Sequence, residues 1–404
     1  MGLLIDTTPL RVSRDFRRLW IGQAVSLIGT LMQQVGQGWL ALQLSDSAFI
    51  VGLVSAAASL PVLLLSLYAG VLIDRLDKLK IVTIAQILLS VEAAVLWWAM
   101  WSGHINIPLL VALAGINGII SAVEIPARQS LIVELVNRED IVDAVALNSG
   151  GFNLARIIGP SIAAAVIAGA GLSWCFGINA LSYIAVIGCL VAIKLPKFVK
   201  SGVPNAALQD FKEGIHYIRS RRDITGLFGV IAVFSIFGFQ YLTLMPVIAR
   251  DVLHTDASGY GVLVTFVGIG AVCGALGLAA LGTRVRRGKL FTYSAISFAS
   301  LLVLFSLIDD RRIAAGFLVL IGFTMLINGA LANGILQSAV PDELRGRVMA
   351  AYVFVYVGFM PIGSLIGGFL AHITGVQWAI GSGAFIMVVY AIWAFWKVPE
   401  LRQV

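Results

Sequence analysis

Arg128-Gln129-Ser130, then Val136-Asn137-Arg138-Glu139, then a long apolar run carrying Gly159-Pro160: this order of features returns in the second half of the chain. There it reads Leu336-Gln337-Ser338, then Val340-Pro341-Asp342-Glu343, then a long apolar run carrying Pro361 and Gly363. A constant shift of 204 residues carries Val136 onto Val340, Glu139 onto Glu343 and Gly159 onto Gly363, in a chain of 404. The chain is read as two copies of one half-length plan.

Hydrophobic residues make up 59% of the sequence and charged residues 12%, where a soluble globular domain carries roughly 25% charged. A bilayer core needs roughly 20 apolar residues per helix. Twelve segments qualify, near 17–43, 49–73, 81–102, 107–129, 141–168, 174–194, 225–248, 258–281, 290–308, 313–336, 347–372 and 376–396. The expected fold is all-α: an integral membrane protein of twelve transmembrane helices in two pseudo-symmetric six-helix bundles, 1–195 and 225–404. Residues 196–224 form the one long connection. A doubled helical membrane protein points to transport, with its site where the halves meet.

The 28 Lys and Arg residues set the orientation. With the amino terminus taken as cytoplasmic, 24 fall in cytoplasmic tails and loops; Arg250, Arg311 and Arg312 fall outside, and Arg156 lies inside a helix. The positive-inside rule places both termini in the cytoplasm of a plasma (inner) membrane protein. These loops account for most of the net charge of +7, so the charge does not imply a nucleic-acid partner. Met1 to Phe16 is polar and runs straight into the first helix, which does not resemble a cleavable signal peptide.

Cys175, Cys189 and Cys273 lie in or beside apolar helices without CxxC spacing, and the four histidines are scattered, so packing is expected rather than metal or redox work. No cofactor is implied. Residues 207–222 place Leu208, Phe211, Ile215 and Ile218 on one helical face, with charged residues mostly elsewhere, which reads as an amphipathic helix on the inner leaflet tethering the bundles.

The loop Gly70-Val71-Leu72-Ile73-Asp74-Arg75-Leu76-Asp77-Lys78 resembles the G-x-L-x-D-R-x-G-R signature of the major facilitator superfamily, with Asp77 in place of the usual glycine. The resemblance implies a cytoplasmic gate motif of Gly70, Asp74 and Arg75, with Arg128. Leu281–Lys289 keeps the positive charge at the matching place of the second half but lacks the aspartate. Pro126-Ala127-Arg128-Gln129-Ser130-Leu131, Ala144–Ser149, Phe152–Arg156, Phe16–Trp20 and Leu344–Val348 are similar to the branch containing enterobactin-type siderophore exporters and macrolide efflux proteins. Ala155–Ala164, with a bend at Gly159 and Pro160, resembles the G-x-x-x-G-P-x-x-G-G motif of proton-linked exporters.

Polar groups inside the membrane mark the expected transport path. At 100° per residue, Asn148, Ser149, Asn153, Arg156, Gly159 and Ala163 share one side of the fifth segment. Arg156 is expected to face a cavity or an acid, with Glu124 as its partner in a central charge pair; the alternative is that Glu124 pairs with Arg128, four residues on. Glu92 is the other intramembrane acid, and a buried carboxyl can load and release a proton during transport. The remaining cavity candidates are Gln33, Gln34, Gln37, Gln240, Tyr241, Asn328, Asn333 and Gln337, all neutral, which suits an amphipathic or lipophilic small molecule.

The expectation is a monomeric exporter of drug or siderophore type, working by alternating access and driven by proton antiport, since the sequence carries no P-loop. Its partners are the cargo, protons and the lipid bilayer. A lipid or lysolipid translocator would share this architecture. A receptor or scaffold would need soluble surface, and an enzyme would need a nucleophile, base or metal set that the spacing does not supply.

Overall fold

In the computed structural model, residues 7–73, 76–193, 207–281 and 286–402 are described, and they are helical or in short connections. The long helices are α1 Arg14–Ser45, α2 Ala48–Ile73, α3 Lys78–Trp101, α4 Ile107–Glu134, α5 Ile141–Ala170 and α6 Ser173–Val191. The second half holds α7 Arg222–Val252, α8 Ala257–Leu281, α9 Arg287–Phe305, α10 Arg311–Ala339, α11 Asp342–Thr374 and α12 Val376–Lys397. Among the described residues, 11 helices are long and apolar enough to cross a membrane. The long helix outside that count is α1, whose 32 residues include Gln23, Gln33, Gln34, Gln37 and Gln43, so its mean hydropathy is low although its length would span a bilayer.

Short polar side chains start several of these helices. Asp77 accepts from the Lys80 backbone N–H at 3.2 Å and caps α3, so the residue that departs from the gate signature has a local task. Asn106 caps α4 in the same way, accepting from Leu109 at 2.9 Å. Asp310 caps α10, and the backbone donors of Ile313 and Arg312, at 3.0 and 2.8 Å, hold its carboxyl below the ordinary carboxylate range.

The chain divides into two compact units. One comprises Met1–Ser45, Ala57–Asn205 and Ala257–Thr265; the other comprises Asp46–Ala56, Ala206–Asp256 and Phe266–Val404. Each unit thus includes the opening turns of a helix from the opposite half of the sequence, and both insertions meet their hosts through a glycine. In the second unit Gly52 of α2 lies against the backbone of Ser364 and Gly368 on α11. In the first unit Gly261 of α8 lies against Pro160 and Ala164 of α5, where an added Cβ would stand 3.0 Å from the Pro160 carbonyl oxygen. The repeat shift of 204 carries Pro160 onto Ser364 and Ala164 onto Gly368, so the two crossings use corresponding positions of the duplicated plan. Hydroxyls reinforce both: Ser161 with Thr265 at 3.1 Å, and Ser364 with Ser55 and Thr243 at 3.3 and 3.0 Å.

The long connection carries the helix Ala207–Ser220. Of the apolar face expected on the inner leaflet, Ile218 is buried in the core of the second unit with Leu336, Val340 and Val348, and Ile215 packs against that cluster. Gly214 approaches the backbone of Arg347 closely, and Glu213 pairs with the Arg347 side chain. The end of the apolar face thus meets protein, while the side chains of Leu208 and Phe211 lie outside the described residues.

Candidate functional site

Asn117, Ser121, Glu124 and Arg128 follow one another along α4 at steps of four, three and four, and therefore share one face. That face carries the polar centre of the first unit. Glu124 is 5% exposed; its Oε1 accepts from Arg128 Nε at 2.7 Å and from Gln86 Nε2 of α3 at 3.0 Å. Glu92 of α3 is 3% exposed and accepts from Asn117 Nδ2 at 3.2 Å and from Gln33 Nε2 of α1 at 3.1 Å.

The network continues through α1 into α6. Gln33 Oε1 accepts from Asn179 Nδ2 at 2.7 Å, and Asn179 Oδ1 accepts from Ser182 Oγ at 3.0 Å. On the other side Ser121 Oγ reaches Asn117 Oδ1 at 3.4 Å. One hydrogen-bonded line thus runs Ser182, Asn179, Gln33, Glu92, Asn117, Ser121 across four helices. Such a line immobilises a carboxylate away from water by giving each oxygen a donor, which a buried acid needs.

The other expected positions in this unit take separate places. Arg156 holds its guanidinium carbon 4.8 Å above the Phe152 ring, a cation–π geometry. Of the two partners considered for Glu124, Arg128 makes the described ion pair. Asn148 Oδ1 accepts from Gln23 Nε2 at 2.7 Å, and Asn153 donates to the Ser149 carbonyl of its own helix at 3.0 Å. Gln37 is buried with its Nε2 unpartnered among the described residues, whereas Gln34 is exposed. Gly159 and Pro160 are buried inside α5, with Gly159 tight against Leu31 and Ile28 of α1. Gly70 falls within α2, while Asp74 and Arg75 lie outside the described residues.

The second unit has a different centre. Phe234 stacks on Phe298 at 4.6 Å between ring centroids and meets Phe239 edge-on at 5.5 Å; Phe239 meets Tyr356, also edge-on at 5.5 Å, and Tyr356 stacks on Tyr352 at 5.4 Å. Asn328 donates to the Phe291 carbonyl at 3.2 Å and to Ser294 Oγ at 3.1 Å, joining α10 to α9. Gln337 donates to Asn333 one turn away on α10. Tyr241 is fully buried with its hydroxyl 3.5 Å from Met325 Sδ, and Gln240 is 1% exposed between Gly367 and Gly383.

The first unit thus buries two carboxylates, each held by donors from neighbouring side chains, and the second buries a cluster of aromatic rings; among the described residues no group of three His, Cys, Asp or Glu side chains could hold a metal. Residues 6–404 match the profile of the family described as transmembrane secretion effector. The chain belongs to that family, within the major facilitator superfamily.

Relatives match along most of the chain. It is 28% identical to the staphyloferrin A transporter of Staphylococcus aureus, over 86% of this chain and 87% of that protein. It is 24% identical to macrolide efflux protein A of Streptococcus pyogenes, over 96% of each. Among solved structures, a bacterial homologue of the human lysosomal transporter Spinster, in an inward-facing and unoccupied conformation, shares the fold: TM-score 0.74 at 12% identity, over 97% of this chain and 98% of that one. The superfamily consists of transporters, not enzymes.

Sequence reading of this facilitator missed Gln86, Asn117 and Asn179. Each is an amide in mid-helix among apolar neighbours, the same signal that drew attention to Gln33 and Gln240. What separates them is the way each helix faces its neighbours, which packing decides.

Proposed function

We propose that this protein exports amphipathic or lipophilic small molecules, of drug or siderophore type, by alternating access of two six-helix halves, 1–195 and 225–404, with inward proton flow as the driving force. On this reading α1 is the twelfth span, both termini are cytoplasmic in the inner membrane, and the protein works as a monomer. The observation that carries the proposal is the pair of buried acids: Glu92 and Glu124 are the two carboxylates in mid-span of the first half, each held by donors from two positions. A buried acid retained at such cost inside a bilayer is a functional group by default. Arg128 and Gln86 both donate to the same oxygen of Glu124, and a proton arriving at that oxygen would release Arg128. Glu92, held by neutral amides alone, would exchange its proton without freeing a charge. The neutral intramembrane amides of this chain, the exposed Gln34 among them, suit a largely apolar cargo with a few polar atoms. The names of the siderophore and macrolide relatives point to the same cargo chemistry.

The test is proton release from energised inside-out vesicles challenged with lipophilic drugs, carboxylate and catecholate siderophores, and lysolipids. Collapse of the pH gradient by a drug or siderophore, absent with Glu124→Gln, is the expected result. Movement of lysolipid without any proton flux would replace the exporter reading with that of a lipid translocator.

A further inference from the structure

Gln240 is 1% exposed, and neither Nε2 nor Oε1 has a hydrogen-bond partner among the described residues. A buried amide left unpaired on both atoms is costly, and a membrane interior offers no water to relieve it. Its surroundings are built to hold it all the same. A Cβ at Gly367 would stand 3.0 Å from the Gln240 side-chain carbons, and one at Gly383 would stand 3.2 Å from Oε1, so two glycines on α11 and α12 leave the space the side chain occupies.

The backbone just before it is irregular. Phe234–Gly238 forms a π turn, in which each hydrogen bond spans one residue more than in an α-helix. Closing that turn to α geometry would draw the following segment forward by one residue, a rotation of about 100°. Gln240 would then take the position that Tyr241 holds now, facing Met325 of α10 and Phe298 of α9, and the phenyl ring of Phe239 would enter the glycine-lined pocket. In that arrangement an apolar ring fills an apolar pocket and the amide turns toward the helix that carries Asn328, three residues from Met325.

From these observations we infer that α7 is a two-state element: the π turn at Phe234–Gly238 stores Gln240 unpaired between α11 and α12 in one transport state, and its conversion to α-helix delivers the amide toward α10, where it contacts the cargo, in the other. Gln240 is thus a cargo-contacting residue in one state only. The inference rests on the alternating-access reading above, but its structural part can fail separately.

Two substitutions push the equilibrium in opposite directions. Gln240→Leu removes the orphaned amide, and so favours the stored state; Gly367→Ala narrows the pocket, and so disfavours it. Hydrogen exchange of the segment 234–241, measured by mass spectrometry on the full chain in lipid nanodiscs, reads the turn directly. Gln240→Leu is expected to slow exchange there about tenfold, the scale of relieving one unpaired group, and to slow cargo movement in vesicles. Gly367→Ala is expected to speed exchange, and Gln240→Ala in the same chain to cancel its effect. Gln240→Met serves as the second apolar replacement should the leucine variant fail to fold. Exchange unchanged or faster in the folded apolar variants overturns the inference. Slower exchange with unaltered cargo movement also overturns it, because the turn would then have no part in transport. A wild-type chain in which the substitutions move exchange as expected, but which carries no drug or siderophore, fails the exporter reading and leaves the two-state turn standing.

Discussion

The two halves of the chain share one plan and fill it with opposite chemistry. In the amino-terminal half the helices are joined by a line of amides and hydroxyls around Glu92, beside a Glu124–Arg128 ion pair. In the carboxyl-terminal half the acids Asp251, Asp256, Asp309, Asp310, Asp342, Glu343 and Glu400 all stand at helix ends or in connections, and the interior is a cluster of Phe and Tyr rings. The sequence repeat supplies one plan twice, and the two copies depart from each other in where their acids lie. The contrast shows where to test the proposed proton coupling: in the half that buries its acids.

The sharpest way to break that comparison is Glu124→Gln, which is expected to reduce cargo-dependent proton flux to background while cargo binding, measured by quenching of intrinsic fluorescence, persists. If Glu92→Gln alone abolishes the flux and Glu124→Gln does not, the proton site moves to α3. Next in size, Arg128→Leu leaves Glu124 buried without its counter-charge, and thermal denaturation in detergent should show a loss of about 3–5 kcal/mol. The same substitution in a Glu124→Gln background should cost much less, and additive losses would show that the pair is not coupled.

Which of these partners could be read from the sequence depended on distance along the chain. Arg128 lies one turn from Glu124, and this pairing was visible as the local alternative to Arg156. Gln33 lies 59 residues from Glu92 and Asn179 lies 146 residues from Gln33, so their meeting follows from how α1, α3 and α6 are rotated against one another. The helices themselves were legible as apolar runs, with ends that fell short wherever a helix continues into polar residues: α7 begins at Arg222 rather than near 225, and α11 at Asp342 rather than near 347. The amphipathic face of 207–222 was equally legible, but periodicity states only that Ile215 and Ile218 need cover, not whether lipid or Leu336 and Val348 provide it.

A smaller effect tests the carboxyl-terminal half. Asn328→Leu removes the bonds to Phe291 and Ser294 together and should cost about 1 kcal/mol of stability. Proton flux per cargo molecule should stay unchanged; a changed ratio would mean that charge handling is not confined to the first half. Smallest of all, Lys78→Ala breaks the partly exposed pair with Glu134 and should shift stability by less than about 1 kcal/mol, with the loss fading in high salt.

The two glycine crossings bear on assembly. In a self-complementary dimer, a patch on one copy meets a second patch on its partner, and the partner returns the contact. Here Ser364 and Gly368 stand at the repeat positions of Pro160 and Ala164, and each pair is met by a glycine from the other half of the sequence, although Gly52 and Gly261 stand 209 rather than 204 residues apart. Contacts of this kind tie the two halves of the sequence together independently of the connection 196–224. A gene cut within that connection should therefore still yield two pieces that find each other in the bilayer.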